Sequence, residues 1–188
     1  MAHPLPATDA ADDAVNSGGP ALSRAASALI IVAVLGVSAA IGRRNAPDPS
    51  HPGIRRWYKR LDKPAYTPPD AAFGAVWPVL ETGLAIGGYR LLRRPADAPR
   101  NLAVGLWLLN TGMVGGWTEL FFRRKALGPS AVASGAMIAS GAGYVAAAAK
   151  VDRTAAATAV PFVAWLGFAT LLAERIWERN RSDGPDKA

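Results

Sequence analysis

The 188-residue chain carries a formal charge of +7, 51% apolar residues, two histidines and no cysteine. Lack of cysteine excludes disulfides, thiolate metal sites and a cysteine nucleophile, and because His3 and His51 lie outside the apolar segments, no metal or histidine-ligated haem site is expected among them. A basic balance suggests nucleic acid in a soluble chain, but here the charges fall between long uncharged stretches and no nucleic-acid partner is expected.

Residues 1–24 are rich in Ala, Asp, Pro, Ser and Gly, with Asp9, Asp12 and Asp13 but no basic n-region. They read as a disordered N-terminal extension rather than a cleavable signal peptide. Residues 25–42 and 126–149 contain no charge, and each is long enough to cross a hydrocarbon core of about 30 Å as a helix. Three further spans are read at 71–89, 102–122 and 154–173, with Glu81 and Glu119 their only charges. The chain is therefore expected to be all-α: an integral membrane five-transmembrane-helix bundle at 25–180, followed by a polar C-terminal tail at 181–188. Its mean hydropathy of only +0.13 reflects the polar ends and the heavy use of Ala and Gly. Small residues such as Gly135, Gly141 and Gly143 predict close helix approach, and the short later connections predict an up-and-down bundle.

The longest connection, after the first span, holds Pro47, Pro49, Pro52, Pro64, Pro68 and Pro69, which preclude a long helix. Its part from 57 to 69 reads as an ordered, non-helical lid. Trp57, Tyr58 and Tyr66 have two readings: anchors at the membrane interface, or rings that close a pocket mouth. Glu81, deep in the second span, is costly in hydrocarbon; it either touches ligand or cavity water or makes an interhelical hydrogen bond, with Asn110 as a neutral partner. Glu119, beside Arg123 and Arg124, predicts an interfacial ion pair. Trp107 and Trp177 read as packing or belt residues, and Pro78 and Pro161 relax the helices that contain them. The 43–63 loop, Arg123 to Lys125 and the tail together hold twice as many Lys and Arg as the other side. By the positive-inside rule the N-terminus is outside and the C-terminus cytoplasmic.

Three blocks carry a family resemblance. WYKRLDKPAYTPPDAAFGAVWPVL, at 57–80, is similar to W-Y-x-x-L-x-K-P-x-aromatic-x-P-P followed by F-G-x-V-W-x-x-L; Trp117-Thr118-Glu119-Leu120-Phe121-Phe122 is similar to W-S-x-L-F-F; and residues 161–170 are similar to P-Y-x-x-W-x-x-F-A-T. Together they resemble the TspO/translocator protein family, the tryptophan-rich sensory proteins, across about residues 25–180. The resemblance implies a homodimeric five-helix membrane protein that binds porphyrins and other apolar aromatic ligands, with no required cofactor, and that senses, sequesters or transports them. It places Trp77, Trp117, Trp165 and Ala169 around the ligand, with Trp57 and Tyr66 in the lid and Phe121 and Phe162 supplied by the second and third blocks. Glu81 and Asn110 join this set on their own chemistry. Trp165 and Ala169, four apart, share a helix face, and an indole beside a small residue makes a slot for a flat macrocycle.

The chain departs from the family pattern at Glu81, usually Tyr, and at Val114 and Ala173, both usually Asn. The stretch Leu171 to Arg175 lacks the Tyr of the sterol-recognition pattern, so sterol binding there is not expected. Two other functions remain open: light-dependent porphyrin degradation, with Trp77 or Trp165 passing electrons as the catalytic residue, and a divergent pocket for another apolar ligand.

Overall fold

The computed structural model describes residues 19–181. Its helices are α1 (Arg24–Asn45), α2 (Pro52–Arg60), α3 (Asp70–Leu92), α4 (Ala98–Thr118), α5 (Leu127–Ala149) and α6 (Arg153–Asn180), with a π-helical turn, Glu119–Arg123, prolonging α4. No strand occurs among the described residues.

Local chemistry sets several helix ends. Ser23 accepts the Ala26 amide at 3.1 Å, Asp97 the Arg100 amide at 2.7 Å and Asp152 the Ala155 amide at 3.0 Å. Each satisfies a donor that a helix start leaves free. The π turn closes at Lys125, whose φ of 55° is left-handed, while the Ala126 amide returns to the Leu120 carbonyl at 3.0 Å. That closure spans one residue more than the usual Schellman stop, as the wider π turn requires.

The five long helices form a ring in the order α1, α4, α5, α6, α3, with α3 returning to α1. Leu84, Leu91, Ala103, Trp107, Tyr144, Ala155, Ala159 and Phe162 fill its interior. The outer face is aliphatic: Leu29, Val79, Leu102, Val132 and Leu171, one from each long helix, are all at least 58% exposed. Such a surface suits lipid and not water. Four helices, α1, α3, α5 and α6, are long and apolar enough to cross a membrane. The fifth expected span, 102–122, coincides with α4 and its π turn but is less apolar, because it spends core positions on Asn110 and Thr111, both buried.

Other expectations need correction. The segment before Pro64 is not free of helix: α2 runs from Pro52 through Trp57 to Arg60. Proline at a first helical position gives up no hydrogen bond, and the next proline is beyond the helix end. α3 packs chiefly on α6 rather than on its sequence neighbour α4. The glycines responsible lie on α3: a Cβ on Gly83 would meet the Thr158 carbonyl oxygen at 2.4 Å, and one on Gly87 the Ala155 oxygen at 3.1 Å. Gly141 does sit at a close approach, where a Cβ would meet Val163 at 3.1 Å, whereas one on exposed Gly135 would have nothing within 4 Å.

The expected N-terminal extension and polar tail fall mostly outside the described residues. Within them, Gly19 accepts the Ala96 amide at 2.8 Å and Leu22 donates to the Leu92 carbonyl at 3.2 Å, seating the chain against the α3–α4 turn before α1 begins.

Candidate functional site

At the end of the bundle that holds the C-terminus of α1, aromatic rings from four elements form a continuous wall. It begins in α2. Tyr58 is buried with Phe121, Leu172 and Ile176, and Trp57, Phe73, Trp117, Phe122 and Phe168 pack around them. Trp117 stacks on Phe121, one turn away, with centroids 4.7 Å apart and planes 16° apart, and donates its indole N–H to the Ser130 carbonyl at 2.9 Å. Trp57 meets Phe121 edge-on at 5.9 Å. Trp165 meets Phe73 edge-on at 5.8 Å and leans on Phe168 at 5.3 Å. Edge-on and offset pairs of this kind exploit the ring quadrupole beyond simple burial.

The lid is held by more than its rings. Lys63 Nζ lies 3.7 Å from the Tyr58 ring centroid, a cation–π contact. Burial, with the Asp70 charge adding to it, pushes the Tyr58 hydroxyl up to about 12, so it stays protonated as a neutral part of the wall. Burial likewise lowers the Lys63 ammonium, partly offset by Asp70. Beyond α2, Asn180 at the end of α6 clamps the loop: its side-chain amide donates to the Asp62 carbonyl at 2.8 Å and accepts the Asp62 amide at 3.0 Å.

The structure thus brings Trp57, Trp117, Phe121 and Trp165 to one wall. Trp77 is half-buried and packs against the central core beside it. Ala169 is half-buried one turn beyond Trp165, and Glu81 is half-buried one turn beyond Trp77. Tyr66 stays 56% exposed. Phe162 and Asn110 are fully buried in the bundle. Asn110 does not pair with Glu81; it donates to the Leu106 carbonyl at 2.8 Å and accepts Ser140 Oγ of α5 at 3.0 Å. Among the described residues Glu81 has no hydrogen-bond or ion-pair partner, whereas Glu119 lies 3.9 Å from Arg123 and 3.6 Å from Arg124, the expected interfacial pairing. Trp107 is a packing residue, fully buried and donating to the Leu84 carbonyl at 2.9 Å. No group of three or more His, Cys, Asp or Glu able to hold a metal occurs among the described residues.

Sequence reasoning missed Phe73 and Phe168 as parts of the wall. A signal existed: Phe73 is four before Trp77 and Phe168 three after Trp165, spacings that share a helix face.

An all-α ring of long helices, aliphatic outside and edged by basic loops, defines a multi-pass integral membrane protein. Residues 27–178 match the model of the TspO/MBR family. The chain is 31% identical over 135 residues to the translocator protein of Ovis aries, covering 67% of this chain and 76% of the relative. It is also 31% identical over 133 residues to that of Homo sapiens, covering 66% of this chain and 75% of the relative. The chain belongs to the TspO/MBR family.

Proposed function

We propose that this membrane protein binds a flat, apolar aromatic ligand of the tetrapyrrole class against the Trp57–Trp165 wall, as a sensor, sequestering protein or transporter. The observation that carries the reading is Trp165. Its indole N–H is shielded from solvent without an acceptor, while its ring is framed by Phe73 and Phe168. A buried N–H without an acceptor costs about 1–3 kcal/mol, a cost that a ligand carboxylate or carbonyl at this position would remove while the macrocycle stacks on the rings. Glu81, half-buried one turn beyond Trp77 on α3 and without a hydrogen-bond or ion-pair partner among the described residues, is a second polar group free to meet the ligand. The excess of Lys and Arg on the lid side supports a cytoplasmic lid and C-terminus. Gly105, Gly112 and Gly116, on one outward face of α4 with nothing within 4 Å, support a homodimer packed through small residues.

Protoporphyrin IX titrated into the detergent-purified protein should quench tryptophan emission saturably in the micromolar range. Trp165→Phe keeps an aromatic ring but removes the N–H, and should weaken binding about tenfold, the equivalent of 1.4 kcal/mol. Glu81→Gln should alter affinity if that carboxyl borders the ligand. Folded protein without saturable quenching would turn the assignment toward another apolar ligand.

A further inference from the structure

The end of the bundle opposite the lid holds a cleft of about 460 Å³, lined by Arg24 of α1, Tyr89 and Arg90 of α3, Arg93 and Arg94 just beyond it, and Asp152 before α6. Four guanidiniums meet there with a single carboxylate. Asp152 is only 5% exposed and takes Arg90 Nε at 2.9 Å and Arg94 Nη2 at 2.7 Å. Those two guanidiniums are fixed in place, yet each side chain remains 40% or more exposed. Arg93 spends one donor on the uncharged Leu22 carbonyl, and Arg24 stands exposed at the first position of α1. The cleft therefore keeps a surplus of positive charge on pre-positioned donors.

We propose that this cleft binds the phosphate group of an anionic phospholipid. Guanidiniums match phosphate oxygens with paired, charge-assisted hydrogen bonds. The cleft lies where apolar helices end, the depth at which headgroups sit, and half-buried Tyr89 has the amphipathic ring suited to that depth. One turn deeper on α3, Ile86 lies on the same face as Arg90 and is 44% exposed, a surface for an acyl chain. A soluble phosphate shares the headgroup chemistry but gains nothing from that apolar surface. The site is remote from the aromatic wall and independent of what binds there.

The test uses the full chain in neutral detergent with dioctanoyl-phosphatidylglycerol, dioctanoyl-phosphatidylcholine or inorganic phosphate. Affinity is read from the shift in thermal midpoint and retained lipid from native mass spectrometry. Phosphatidylglycerol should stabilise and be retained, at least tenfold more tightly than either of the others. Arg24→Gln/Arg93→Gln should cut that affinity at least tenfold, and Arg24→Gln alone, at an exposed position outside the packed core, about threefold. Arg55→Gln/Arg56→Gln, exposed at the opposite end, is the charge-matched control and should change nothing. Equal binding of the two lipids, or an equal loss in the control, would overturn the site. Free phosphate binding as tightly as phosphatidylglycerol would overturn the lipid assignment in favour of a soluble anion.

Discussion

Asp152 concentrates several tasks in one carboxylate: it caps α6 and holds two arginines of the α3 end. Burial disfavours its charge, but hydrogen bonds from Arg90, Arg94 and the Ala155 amide outweigh that and hold the carboxyl well below its ordinary range. A depressed folded-state value means that its stabilisation is complete above the unfolded value of about 3.9 and is lost as pH falls below it. Thermal midpoints of the wild type should thus be insensitive to this group from pH 5 upward and decline below about pH 4, while Asp152→Asn lacks that decline. At pH 7, Asp152→Asn should cost about 2 kcal/mol, less than loss of a fully buried partner because both guanidiniums reach solvent. Asp152→Ala should cost about 1 kcal/mol more, since it also removes the cap. The pairing with arginine was not legible from the chain, because the partners are 62 and 58 positions away. Glu119 was legible because its partners are within one turn. Trp165 was legible through its motif, but its unpaired N–H depends on what α3 presents and could be seen only in the fold.

Between elements, distance is set by glycine. A methyl on Gly88 would lie 2.4 Å from Trp107 Cε2, and one on Gly83 2.4 Å from the Thr158 carbonyl oxygen. Neither backbone nor a buried indole can yield cheaply in a close-packed interior. Gly83→Ala and Gly88→Ala should each destabilise by about 1–3 kcal/mol, whereas Gly36→Ala, with nothing within 4 Å, should leave stability unchanged or raise it by less than about 1 kcal/mol. Thermal unfolding in detergent checks all three, and equal losses across them would remove the packing argument. The spans were readable because uncharged length is a strong signal. Their neighbours were not: which glycine meets a helix depends on rotation about the axis, and Gly135 and Gly141 look alike in sequence. α2 was hidden for a different reason. Proline marks the ends of a short helix as readily as the absence of one, and only Pro52 at the first position separates the two cases.

At the scale of the molecule, the lid is tied to the bundle at two places of different character. α2 is fastened through aromatic burial of Tyr58 and Trp57 against Phe121, and the chain after it through the paired hydrogen bonds of Asn180 with Asp62. The second tie is exposed and therefore weak, worth about 1 kcal/mol in total, which suits a segment that would have to open for the proposed ligand. Asn180→Ala removes both hydrogen bonds, and with them only one bond inside the ring of helices, that of the same side chain to its own helix. Its thermal midpoint should match the wild type. Amide exchange over residues 61–69 should quicken about fivefold to tenfold, because local opening free energy falls by that single contribution, and exchange in α2 and α3 should not change. Ligand dissociation should quicken in step while association stays the same, since loss of the tie destabilises the closed state alone. Uniformly faster exchange across α6 would instead mean that Asn180 secures the end of that helix, through its bond to the Ile176 carbonyl at 2.7 Å, and that the lid depends on its rings alone.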